Sequence, residues 1–96
     1  MAIGDISRTA GFPRQIGNMW MIVGTLEAGA VGTAFALTDS SSTLVSCSVQ
    51  NEDEVNTYIR VTLNSSAGVA DTLQGSVYVD TSQTGPDTFR FCAFYI

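Results

Sequence analysis

The stretch 43–64 reads Thr43-Leu44-Val45-Ser46-Cys47-Ser48-Val49-Gln50-Asn51-Glu52-Asp53-Glu54-Val55-Asn56-Thr57-Tyr58-Ile59-Arg60-Val61-Thr62-Leu63-Asn64. Its reading decides the fold. Val45, Cys47 and Val49 share one parity, with Ser46, Ser48 and Gln50 on the other. After the acidic break, Val55, Thr57, Ile59, Val61 and Leu63 alternate with Asn56, Tyr58, Arg60, Thr62 and Asn64. A period of two places successive side chains on opposite faces of an extended chain, so both segments are expected as half-buried strands. Only Asn51–Glu54 separates them, which predicts a β-hairpin with a connection of about four residues.

The three carboxylates in that connection, Glu52, Asp53 and Glu54, are the densest acid in the chain. A calcium loop of the EF-hand kind needs oxygen ligands at alternate positions, a mid-loop glycine and a closing glutamate, and that spacing is absent. Hydrolysis by paired carboxylates needs two acids converging in a cleft with their pKa values driven apart. On a hairpin tip, water keeps all three ionised and alike, so a solvated turn is expected. The other acids (Asp5, Glu27, Asp39, Asp71, Asp80 and Asp87) fall in expected loops or near the N-terminus.

Outward from the hairpin, the same period recurs. Met19–Leu26 places Trp20, Ile22 and Leu26 on one face and Met21 and Val23 on the other. Residues 27–32 read as a turn, and Val31, Thr33, Phe35 and Leu37 then alternate with small residues. "TDSSS" (38–42), "NSSAGVAD" (64–71) and "DTSQTGPD" (80–87) are breaks rich in residues that hydrogen-bond their own backbone. A strand is expected at Leu73–Val79, and "TFRFCAFYI" (88–96) closes the chain with Phe89, Phe91, Ala93 and Tyr95 on one face and Cys92, Phe94 and Ile96 on the other. Strands apolar on both sides are normally covered on both sides. The second cover is either another subunit or the N-terminal segment. Residues 1–16 hold only isolated apolar positions, broken by Gly4, Gly11 and Pro13, and are expected as an extended arm. The reading is all-β: one small antiparallel β-sandwich or barrel over 17–96, jelly-roll- or Ig-like, with about six strands and an extended N-terminal arm over 1–16.

Composition narrows the function. The 96 residues carry 14% charged side chains, 10 serines, 11 threonines, no lysine, no histidine and a net charge of −5. Nucleic acid and anionic membrane surfaces are disfavoured, because both bind through clustered Lys and Arg. The 19-residue run Met19–Leu37 approaches the length of a membrane helix. Glu27 near its middle costs about 2.5–3.5 kcal/mol on insertion, and Gly24, Gly29 and Gly32 suit turns better. Without histidine there is no Ser-His or Cys-His pair and no imidazole metal ligand, and no glycine-rich phosphate loop is present. No catalytic residue, metal or cofactor is expected. Cys47 and Cys92 read as buried free thiols, and with no basic-then-apolar leader at the start a reducing cytoplasm is the expected place of synthesis. Tyr58 and Tyr78 fall on the polar faces of their strands and are the candidate glycan platform, set against ordinary cross-strand packing.

The order of "GNMWMIVGTLE", "TAFALTDSSSTLVSCSVQNEDEVNTYIRVTLNSS", "GSVYVD" and a terminal strand, behind a short arm, resembles the decoration, cement or head-stabilisation proteins of tailed-bacteriophage capsids. The resemblance is one of layout and covers most of residues 17–96. It implies a non-catalytic virion protein that binds the outer capsid surface, commonly as a trimer, and bridges subunits of the major capsid protein. By that resemblance Ile3, Ile6, Arg8, Phe12 and Arg14 are the partner-contact candidates, in an arm that adds to a neighbour. The alternatives are another virion β-domain (tail, baseplate or fibre) and a small carbohydrate-binding module built on Tyr58 and Tyr78.

Overall fold

A computed structural model describes residues 4–29, 32–51, 58–81 and 87–96. Among these, eight strands form two antiparallel sheets: β1 (Ile6–Arg8), β2 (Arg14–Ile16), β3 (Met19–Ala28), β4 (Thr33–Ala36), β5 (Leu44–Asn51), β6 (Ile59–Leu63), β7 (Ser76–Thr81) and β8 (Asp87–Tyr95). The first sheet has the order β1-β3-β8-β5, with β2 also paired to β3, and the second has the order β4-β7-β6. The molecule is a small all-β sandwich. The run Met19–Leu37, weighed above as a membrane helix, forms β3 and β4 in different sheets, and no helix among the described residues is long and apolar enough to cross a membrane.

β8 lies at the centre of the first sheet, as its apolar run requires. Phe89, Phe91 and Ala93 are fully buried and Tyr95 nearly so, beside Ile22 and Leu26 of β3 and facing Phe35 of β4 and Val77 and Val79 of β7. Ile59, Val61 and Leu63 of β6 and Cys47 and Val49 of β5 pack against the same core from its margins. Cys47 aligns with Ala93, and Ser48 with Cys92, so the two sulfurs lie on opposite faces of the sheet and both are free.

Among the described residues the expected hairpin does not form. β5 pairs with β8 and β6 pairs with β7, so the two strands lie in different sheets. Seven residues, 52–58, separate them, and the acidic tip and the expected strand start at Val55 lie outside the described residues. Alternation fixes which face of a strand is buried; it does not choose the neighbouring strand. A connection that arches between sheets preserves the same alternation, and the chain changes sheet after β3, β4, β5 and β7.

Three local features depart from the simple period. Val45 was expected inward, but the pairing with β8 jumps between Leu44 and Ser46, and Val45 is the extra, exposed residue of that bulge. The strand expected from Leu73 begins at Ser76, because Gly75 at φ 83° turns the chain there, and Leu73 is exposed. A Cβ at Gly75 would also run into the Asp39 carbonyl. Glu27, Asp80 and Asp87 lie in strands and not in loops. The "TDSSS" break is a turn as expected: the Asp39 carboxylate accepts hydrogen bonds from the Ser41 hydroxyl and the Ser41 N–H, which hold its pKa below the usual carboxylate value.

Residues 4–16 do not form a free arm. Ile6, Ser7 and Arg8 align with Leu26, Thr25 and Gly24, and Arg14, Gln15 and Ile16 align with Met21, Trp20 and Met19. The segment therefore extends the first sheet beside β3, with a cis Phe12–Pro13 peptide between its two strands. Gly24 permits this approach: a Cβ there would meet the Ser7 carbonyl, with Arg8 Cα and the Phe91 ring at 3.0 Å.

Candidate functional site

The register of the first sheet assigns every side chain to a face. Ile22, Gly24, Leu26, Phe89, Phe91 and Ala93 point into the sandwich, and their neighbours point out. Across the outer face Met21 aligns with Phe94 and Val23 with Cys92. By alternation Met19 and Ile96 continue this face, and Ile16 joins it opposite Met19. The result is a contiguous apolar patch at one end of the sheet, with Ile16 47% and Ile96 61% exposed. Arg14, aligned with Met21, and Arg90, aligned with Thr25, carry the positive charge of this face. At the far end of the face Glu27, next to the exposed Asp5, is buried and accepts a hydrogen bond from the Thr88 hydroxyl at 2.7 Å. β1 and β2 lie beside β3 in the sheet, and the half-buried Phe12 ring stands against Arg14 at the edge of the patch.

The outer face of the second sheet is polar and aromatic. Arg60 aligns with Asp80 and Thr62 with Tyr78. Tyr58 precedes β6 on the same side, 49% exposed, with the Arg60 guanidinium 5.6 Å from its ring centroid. Both tyrosines of the expected platform are thus on one face. Sequence parity identified them separately; the β6–β7 pairing brings them together.

The partner-contact candidates are spread over several environments. Ile3 lies outside the described residues. Ile6 packs partly against the core. Arg8 crosses the open side of the sandwich and donates to the carbonyls of Ala36 (2.6 Å) and Leu37 (3.3 Å) at the end of β4. Arg14 is exposed, donates to the Gly11 carbonyl at 3.1 Å and stands 5.3 Å from the centroid of the half-buried Phe12 ring. Of this set, Arg14 and Arg8 are exposed, and Arg8 is tied to β4 by its hydrogen bonds.

No group of three or more His, Cys, Asp or Glu side chains among the described residues is placed to hold a metal ion. A shallow pocket lined by Asp5, Ile6, Ser7, Thr25, Leu26 and Glu27 follows the β1–β3 seam. Burial, reinforced by the nearby Cys92, pushes the Cys47 thiol up to about 12, far from the thiolate a nucleophile needs. From sequence, the second apolar face of the terminal strand, with Cys92, Phe94 and Ile96, is expected to need a cover; Ile16 is missed, because it belongs to a segment with no visible period.

The fold defines a small two-sheet β-protein with two contrasting outer faces. Comparison with known protein families, curated proteins and solved structures finds no match to this chain.

Proposed function

We propose that this chain is a non-catalytic structural protein of a tailed-bacteriophage virion. It binds the outer surface of the capsid and bridges subunits of the major capsid protein, as a homotrimer. The observation that carries the reading is the outer face of the first sheet. Phe94, Met19, Met21, Ile16 and Ile96 form an apolar surface edged by arginines. Protein interfaces are enriched in Met, aromatic residues and Arg and depleted in Lys, Glu and Asp, and an apolar patch rimmed by polar groups marks a site of association. The partner follows from the resemblance in layout to capsid decoration proteins, on which this reading rests. The cell cytoplasm is then the place of synthesis and the capsid surface the final location.

Because residues 6–8 and 14–16 are strands of the first sheet, deleting 1–16 would expose the β3 edge and confound any binding test. The exposed side of the segment is better tested with Arg14→Ala. Purified protein is sedimented with expanded shells and, separately, with isolated tails. Saturable cosedimentation with shells alone, weakened by Arg14→Ala, is the expected result. Binding to tails alone would move the protein to another part of the virion, and binding to neither would refute the reading.

A further inference from the structure

We infer that the outer face of the second sheet is a binding site for a neutral oligosaccharide. Tyr58 and Arg60 on one strand and Tyr78 and Asp80 on its neighbour share this face. A sugar offers flat C–H faces flanked by hydroxyls. Its recognition needs accessible aromatic surface beside paired donors and acceptors; the exposed Tyr58 and half-buried Tyr78 supply the first, and Arg60 and Asp80 the second. The Arg60 guanidinium lies 5.6 Å from the centroid of the Tyr58 ring, and that side chain is 49% exposed. The Tyr78 ring rests on Gly32 and Gly68, where a Cβ at either position would touch it, so the backbone itself sets its position. Ala34, aligned with Tyr78, is exposed and too short to stand above it.

Spacing and charge narrow the ligand. Tyr58 stands one step beyond the Ile59–Thr81 pair, four residues along the strand from the level of Tyr78. At 3.3–3.4 Å per residue the two rings are based roughly 14 Å apart, which suits a short linear chain of sugars better than a single unit. A net charge of −5, with Arg60 as the cation of the strip, disfavours sialylated or sulfated glycans and nucleic acid. A proline-rich peptide, the other ligand that docks on tyrosine strips, lacks hydroxyls to engage both Arg60 and Asp80.

The test is a titration of the isotope-labelled full chain, followed by the amide resonances, with maltohexaose, cellohexaose, chitohexaose and a polyproline peptide. At least one sugar is expected to shift the amides of Tyr58, Arg60, Thr62, Tyr78 and Asp80 saturably in the millimolar range. Tyr58→Ala is expected to weaken that binding at least about tenfold, and Asp80→Asn to weaken it measurably, with the remaining spectrum unchanged. The inference is overturned if no sugar moves these amides, if the shifts persist in Tyr58→Ala, or if the peptide alone binds. No shell is present in this experiment, so its outcome is independent of the capsid reading.

Discussion

Asn64 holds Leu44 by both of its main-chain groups. The Leu44 N–H donates to Asn64 Oδ1 at 2.9 Å, and Asn64 Nδ2 donates to the Leu44 carbonyl at 3.0 Å. The same Oδ1 accepts the Gly75 N–H at 3.3 Å. A buried side chain thus takes the place of a neighbouring strand where β5 enters the first sheet, and ties it to the end of β6 in the second. Asn64 sits at φ 53°, a left-handed conformation that asparagine tolerates better than most residues.

Asn64→Ala leaves three buried main-chain groups without their partner and places alanine at positive φ. Unsatisfied buried groups cost about 1–3 kcal/mol each before relaxation, so a net loss of roughly 3 kcal/mol is expected in urea unfolding. Asn64→Gly relieves the backbone conformation alone and is expected to recover only a minor part. Full recovery by glycine would assign the effect to φ and not to the clamp.

On the opposite side of the sandwich, Arg8 joins β1 to the end of β4 through the carbonyls of Ala36 and Leu37. Arg8→Ala is expected to cost about 1 kcal/mol, since the bonds are partly exposed. Its clearer signature is local. Hydrogen exchange should quicken at the Gly4 and Thr9 amides, which donate to Glu27 and Val23 carbonyls, while Val77 and Val79 in the core stay protected.

The Cys47 thiol gives a pH dependence of known sign. Its native pKa is raised from 9.0 to about 12, so the unfolded chain releases this proton first. The contribution is constant below about pH 9 and is lost as pH climbs toward about 12, because the native state then binds more protons than the unfolded one. Urea midpoints of wild type and Cys47→Ala should differ by a fixed amount near neutrality, and wild type should lose ground above pH 9. A thiol reagent near pH 8 should leave native Cys47 unmodified.

Much of the core was legible because burial follows alternation. The inward sets Phe89, Phe91, Ala93 and Ile59, Val61, Leu63 were read correctly from a period of two. Strand neighbours were not legible, since Val49 packs inward whether its strand partners β6 or β8. The strands β1 and β2, three residues each, leave no period because main-chain bonds to β3 hold them more than side-chain burial does. Asn64 was read as an outward polar residue, and nothing in a single sequence marks a polar side chain that bonds inward. Of the candidate surfaces, the parity of Tyr58 and Tyr78 was visible, but their meeting on one face required the register of β6 with β7.

The most direct test of docking through the first sheet is cosedimentation of Ile96→Asp and Ile16→Asp with expanded shells. Both side chains are substantially exposed, so a carboxylate there should leave folding within about 0.5 kcal/mol of wild type. The expected result is normal thermal unfolding with binding to shells weakened at least tenfold in both variants. Shells that retain both variants as tightly as wild type would contradict docking through this face.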